Sequence, residues 1–209
     1  MTGKYVTQIA EAYDSLASES EERAAAKMPF VKDLVACFAS HITTGRVVYD
    51  VGCGVGLATR ALVELGFCVT GIDVSAESLS YARRRSPEAN FVHQDFLCFE
   101  PDRKIDGIFA NAFIHLFTER DAGLVLHKMA SSLKAGGVLF LSTDLCGESR
   151  EGVSEKPYYK TKVKRFKRYW ARKDLEDLVT NSRFKLDRSF AVPDYYRDLN
   201  WLALLASRI

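Results

Sequence analysis

Residues 47–59, Val-Val-Tyr-Asp-Val-Gly-Cys-Gly-Val-Gly-Leu-Ala-Thr, constrain the fold more than any other stretch of the chain. An apolar run ends at Asp50 and Val51, and Gly52, Gly54 and Gly56 follow at alternate positions. Leu57, Ala58, Ala61, Leu62 and Val63 then carry helical spacing. A strand, a tight turn and a helix in that order open a nucleotide-type βαβ unit. Glycines suit the turn because it needs unusual dihedrals and brings backbone close to a ligand.

The residues discriminate between two ligand classes. A dinucleotide fingerprint, G-x-G-x-x-G from Gly52, requires a third glycine where this chain has Leu57. The Asp50 carboxylate at the strand end would also repel a pyrophosphate. S-adenosylmethionine carries an ammonium and a sulfonium and no phosphate, so an acid beside the loop favours it. With this, the segment from Asp50 to Gly56 resembles the first motif of the class I S-adenosylmethionine-dependent methyltransferases. The resemblance implies that Asp50, Gly52, Cys53 and Gly54 bind the cofactor. It also implies an α/β, doubly wound, seven-stranded and mostly parallel sheet, Rossmann-like, with an antiparallel terminal hairpin.

A length of 209 residues suits one domain with a substantial core, and a net charge of +2 does not demand a nucleic-acid partner. The five cysteines are widely spaced and never form a C-x-x-C pair, so they read as reduced thiols, not as a disulfide framework or a zinc site. The four histidines also lack metal-ligand spacing, and no metal is expected. No signal core is visible, and no apolar run approaches the roughly 18 residues of a membrane helix. The expectation is a cytoplasmic protein with no membrane partner.

Taken in order, residues 1–26 are helix-prone, with Ile9, Ala12, Tyr13 and Leu16 on one stripe. Two readings of Tyr13 stand. It packs in the core, or it belongs to the lid helix that folds over the cofactor in many small-molecule methyltransferases, with Tyr5 helping to close it. Pro29 is expected to open the next helix at its first turn. Lys27, just before it, faces solvent or reaches the cofactor carboxylate. Residues 67–73 form a second strand ending in an acid, about 20 positions beyond Gly52, the offset at which a carboxylate reaches the ribose of an adenosine. Asp73 and its neighbour Val74 are therefore assigned to the cofactor. Ser75 is a helix N-cap candidate.

A short third strand ends at Asp95-Phe96, which resembles the motif in which an acid meets the adenine amino group and an apolar neighbour packs on the ring. Asp95 as a turn-capping acid is the alternative. A fourth strand, residues 104–111, leads into Asn111-Ala112-Phe113-Ile114-His115. The resemblance sets Asn111 against the cofactor and His115, the one catalytic candidate, near the transferred methyl; a structural histidine is the other reading. Thr118 caps the next helix, whose apolar face includes Leu124, Leu126, Met129 and Leu133, and residues 134–137 turn into a fifth strand.

Residues 145–169 then break the alternation at the place where many relatives build the acceptor pocket. The segment holds Tyr158, Tyr159, Phe166 and Tyr169, with Trp170 beside it, and from 156 to 173 there are nine Lys or Arg and no acid. It reads as a solvated charged face or as a positive rim for an anionic acceptor walled by aromatics. Residues 184–192 and 199–207 form the terminal hairpin, and nothing suggests a second domain.

The expected activity is methyl transfer to an oxygen or nitrogen of a small molecule, neutral or anionic. An RNA or protein methyltransferase using the basic 156–173 segment, and a non-catalytic S-adenosylmethionine-binding module, are the rivals. The small insertion and the absence of an Asn-Pro-Pro-Tyr tetrad after the fourth strand argue against nucleic acid.

Overall fold

A computed structural model of the chain describes residues 3–155, 159–194 and 200–209. Its elements run α1 (Gly3–Glu22), α2 (Ala24–Ala39), β1 (Val47–Val51), α3 (Leu57–Glu64), β2 (Cys68–Asp73), α4 (Ala76–Arg85), β3 (Asn90–His93) and β4 (Ile105–Asn111). After a single 3-10 turn, Ile114–Leu116, come α5 (Glu119–Ser132), β5 (Leu133–Cys146), β6 (Arg150–Ser154), β7 (Arg165–Ala171), α6 (Arg172–Thr180), β8 (Phe184–Pro193) and β9 (Asn200–Arg208).

Strands pair in the order β3-β2-β1-β4-β5, all parallel; β9 adds antiparallel to β5, and β8 antiparallel to β9. These are the seven strands expected. The chain winds outward from β1 to β3 and then returns to β4, so the order reverses between β1 and β4, where α/β sheets open a crevice at their carboxyl ends. Residues 145–169 add something the sequence did not show. β6 and β7 form an antiparallel hairpin that extends the sheet, β7 pairing in parallel with the end of β5 through Leu145 and Cys146.

Central strands are apolar on both faces because helices cover both. Side chains alternate across the sheet. Tyr49, Ile108, Leu139 and Leu204 face one cluster, with Val125, Met129, Leu175 and Val179 of α5 and α6. Val48, Phe109, Phe140 and Leu205 face the other, with Val31, Leu34 and Phe38 of α2 and Leu62 of α3. There Phe109 stacks on Phe140 at 4.5 Å, and Phe38 meets Phe109 edge-on at 5.5 Å.

Several local expectations change. Pro29 lies inside α2, not at its start, because three alanines, the best helix formers, carry the helix back to Ala24. Leu124 is 51% exposed; the buried face of α5 is Ala122, Val125, Leu126 and Met129. Trp170 belongs to the core. Tyr158 and Leu199 lie outside the described residues. The caps at Ser75 and Thr118 form as read, accepting from Ser78 N at 3.0 Å and Asp121 N at 3.2 Å. No described helix is long and apolar enough to cross a membrane.

The amino-terminal helix is strapped at several points. Asp14 accepts from Ser75 Oγ at 2.6 Å and from Glu77 N at 3.1 Å, adding a second acidic cap to α4. Glu21 takes Arg85 Nη2 on both oxygens at 2.8 Å. Farther along, Glu19 accepts from Lys160 N and Thr161 N at 2.7 Å each, and the Thr161 side chain, together with these backbone donors, pulls its carboxyl down to about 2. Lys27 donates to Tyr159 Oη at 3.3 Å, so it braces the insertion.

Candidate functional site

A narrow cavity of about 80 Å³ opens at the carboxyl edge of the sheet, at the β1–β4 switch point where ligands of such sheets bind. The carboxyl ends of β1, β2, β3 and β4 contribute to it. Gly52 and Gly54 come from the turn after β1, and Ile72, Asp73 and Val74 from β2. Gln94, Asp95 and Phe96 follow β3, and Ala112, Phe113, Leu116 and Phe117 follow β4. Val6, Ile9 and Tyr13, one stripe of α1, close it from above.

The turn's backbone explains its letters. Gly54 has φ +53°, and a Cβ built there would meet no atom within 4 Å, so the backbone stands bare toward open space. Gly52 has φ +71°, and a Cβ there would lie 2.7 Å from the Phe113 ring. The chain bends sharply after β4, where Ala112 takes φ +57°, a strained value for a residue with a side chain. Its N–H donates to the Ser142 carbonyl at 3.1 Å, which holds that bend and brings Phe113 over the turn.

Asp73 locks the turn to β2. Its Oδ2 accepts from Gly54 N at 2.8 Å and its Oδ1 from Ser75 N at 2.9 Å. Burial raises its carboxyl above the usual range, against those hydrogen bonds. A carboxylate offers about four acceptor positions, so two remain for a ligand's hydroxyls. Asp95 has the turn-capping hydrogen bond of one reading and a place on the cavity wall. It lines the cavity, and its Oδ1 accepts from Leu97 N at 3.0 Å to start the next turn. Phe96 sits beside it, 3% exposed and edge-on to Phe113.

Other expected residues lie outside the lining. Asp50 is buried behind the turn, where Thr59 Oγ1 donates to it at 2.6 Å; burial pushes its carboxyl up to about 7. The Cys53 thiol packs over Gly71 of β2, and burial keeps it well above its ordinary range, hence protonated. Asn111 Oδ1 accepts from Ser142 Oγ at 2.6 Å. His115 is 4% exposed within the 3-10 turn. Conversely, Phe113, Gln94, Leu116 and Val6 line the cavity without having been assigned to it. The sequence signal for Val6 was available, since positions 6, 9 and 13 share a helical stripe.

A raised Asp50 makes a pH prediction with a definite sign. The folded state holds the proton more tightly than the unfolded chain does. Stability should therefore fall as pH rises from about 4 to about 7, by on the order of 1 kcal/mol per pH unit, and level off above. Asp50→Asn retains an acceptor for Thr59 and should remove that slope. Urea unfolding of both proteins between pH 4.5 and 8 reads it; a wild-type-minus-variant difference independent of pH would mean Asp50 is ionised throughout.

On the far side of α1 lies a second, more open groove of about 470 Å³, bounded by Tyr5, Gln8, Glu11, Ala12 and Ser15 of the helix and by Val153, Val163, Lys164, Arg165 and Phe166 of the hairpin region. Ile9 borders both spaces. Tyr5 ties them together: its hydroxyl donates to the Leu116 carbonyl, and its ring meets Phe166 at 5.9 Å. The basic segment is divided: Lys160, Lys162, Lys164 and Lys173 are exposed, whereas Arg165, Lys167 and Arg168 are buried. Lys167 pairs with Asp144 of β5, and Arg168 with Glu119 of α5 at 2.7 Å and with Glu151, its neighbour across the hairpin on β6, at 2.9 Å. Tyr159 and Tyr169 stack with cations outside the groove, leaving Phe166, among the described residues of the insertion, as the aromatic that walls it.

Comparison with known proteins agrees with this geometry. Residues 48–137 match a family described as a methyltransferase domain. The cypemycin N-terminal methyltransferase of a Streptomyces species is 32% identical over 146 residues, 67% of this chain and 60% of that protein. A Streptomyces fradiae dTDP-3-amino-3,6-dideoxy-alpha-D-glucopyranose N,N-dimethyltransferase is 29% identical over 140 residues, 65% of this chain and 52% of that protein. The chain thus spans little more than half the length of these relatives. In fold it is similar to the crystal structure of Burkholderia thailandensis 1,6-didemethyltoxoflavin-N1-methyltransferase, bound to 1,6-didemethyltoxoflavin and S-adenosylhomocysteine. The TM-score is 0.81 at 21% identity, covering 98% of this chain and 89% of that one.

Proposed function

We propose that the chain, which matches a methyltransferase-domain family over residues 48–137, is a class I S-adenosylmethionine-dependent methyltransferase that methylates an oxygen or nitrogen of a small molecule. The observation that carries this is the joint placement of a bare glycine turn and an acid with spare acceptor positions in one apolar-walled cavity at the switch point. The residues fit the cofactor: Asp73 would accept from its ribose hydroxyls, Asp95 and Phe96 would take the adenine, and Gly52 and Gly54 would let the backbone lie against it. Tyr13, with Val6 and Ile9, would cover it. Asp50, Cys53 and Asn111 we now read as positioning residues that hold the turn and the end of β4 from behind.

S-adenosylmethionine brings an activated methyl on its sulfonium, so the protein's work is orientation and exclusion of water. The straps from Asp14, Glu19 and Glu21 hold α1 over the cavity and keep bulk solvent out. For a hydroxyl acceptor, His115 would take the proton.

The most informative test is a screen of small-molecule acceptors with isotope-labelled S-adenosylmethionine, read by mass spectrometry. Binding of NAD with no binding of S-adenosylmethionine would overturn the reading. Asp73→Ala should weaken S-adenosylmethionine binding by about 1–3 kcal/mol, the cost of leaving hydrogen-bonding groups unmatched. Titration calorimetry measures it, and an undiminished affinity would take Asp73 out of the site.

A further inference from the structure

Three cations of β7 are buried, and two of them are compensated. Lys167 and Arg168, each 8% exposed, pair with carboxylates. Arg165, 9% exposed, does not: among the described residues no carboxylate lies within ion-pair distance of it. Its Nη1 is 3.4 Å from the Ser154 carbonyl, and its Nε is buried without a hydrogen-bond partner. The guanidinium carbon lies 6.0 Å from the centre of the Tyr13 ring. Thus one end of Arg165 borders the groove, and its head lies beside the tyrosine that lines the cofactor cavity.

An uncompensated buried guanidinium is costly, and such groups are ordinarily paired or bound to an anion. Its planar fork suits carboxylate and phosphate oxygens. Lys164, exposed on the same groove, adds a second positive charge, while Glu11, the carboxylate among the described lining residues, stands exposed at the rim. Phe166 and Tyr5 supply an apolar wall beside it.

We propose that Arg165 is the specificity-determining residue of this groove, holding a carboxylate or phosphate group of the methyl acceptor. The proposal rests on the methyl-transfer reading and narrows its substrate class to small anions. Within β7 the other two cations, Lys167 and Arg168, are already neutralised, so Arg165, with exposed Lys164 beside it, carries the groove's positive charge.

The test uses the full chain saturated with S-adenosylhomocysteine, titrated calorimetrically at fixed ionic strength. Benzoate is compared with benzamide, and phenyl phosphate with phenol, so that the two arms separate carboxylate from phosphate recognition. At least one anion is expected to bind about 10- to 100-fold more tightly than its neutral counterpart. Arg165→Gln should erase that preference, Arg165→Lys should keep part of it, and both should bind S-adenosylhomocysteine within about twofold of wild type. No preference in the wild type, or an equal preference in Arg165→Gln, overturns the proposal. The unliganded proteins give a second readout. Removing an uncompensated buried charge should leave Arg165→Gln at least as stable as wild type, whereas a marked fall in Tm or a failure to fold would make Arg165 a structural strut and also overturn it. If the wild type binds no S-adenosylhomocysteine, the methyl-transfer reading fails, and this proposal with it; the anion results bear on the proposal alone.

Discussion

Gly54→Val is expected to lower affinity for S-adenosylhomocysteine by more than about 100-fold, roughly 2.7 kcal/mol or more, in a protein that still folds. The two halves of that expectation have separate causes. A side chain at position 54 meets no protein atom within 4 Å, so the fold does not resist it sterically. The space it enters belongs to the ligand. The backbone cost is local: a β-branched residue at φ +53° is strained by about 1–2 kcal/mol, which lowers Tm by about 2–8 °C in a chain of this size. Gly54→Ala grades the effect, adding one carbon at the same dihedral. Gly52→Val is the contrast, since its Cβ would strike the Phe113 ring and disturb fold and site together. Calorimetry alongside thermal unfolding separates these outcomes. Wild-type affinity in Gly54→Val would mean that the turn does not face the ligand.

That turn was legible because its chemistry is local. Alternate glycines after an apolar run specify a bend whatever the rest of the chain does, and Asp73 followed from spacing along one βαβ unit. Asp50 and Cys53 were misplaced by the same proximity: both sit within the motif, yet side chains there alternate between the ligand and the core, and these two face the core. Phe113 and Leu116 carried no signal, because their position depends on the Ala112 bend and on Tyr5, more than a hundred residues away in sequence. The basic segment misled for a related reason. Its count of charges was visible, but Asp144, Glu119 and Glu151, which neutralise Lys167 and Arg168, come from outside the segment. A hairpin that pairs with the end of β5 brings them together, and only then does Arg165 stand apart.

His115→Gln is expected to lower kcat by about 10²–10⁴-fold on a hydroxyl acceptor, the range for losing a general base, while affinity for S-adenosylmethionine stays within about twofold. His115 lies in the 3-10 turn between the two spaces: Leu116 beside it lines the cofactor cavity, and the Leu116 carbonyl accepts from Tyr5, which lines the groove. A proton acceptor for the incoming hydroxyl belongs at that junction. At 4% exposure the imidazole is sheltered from bulk water; it lines neither space itself, so the proposed role requires the acceptor to reach it past Leu116. An imidazole base must be neutral to work, so wild-type kcat should fall on an acidic limb as the ring protonates, and His115→Gln, which hydrogen-bonds but takes no proton at neutral pH, should lose that limb. The kcat and KM effects separate the roles. A modest loss confined to acceptor KM, with the acidic limb retained, would make His115 an orienting residue. Wild-type kcat, KM and pH profile in the variant would make it purely structural. An amine acceptor supplies the last control: an amine attacks as the neutral base and leaves no proton for His115 to take in the transfer step, so its kcat should be nearly insensitive to the substitution.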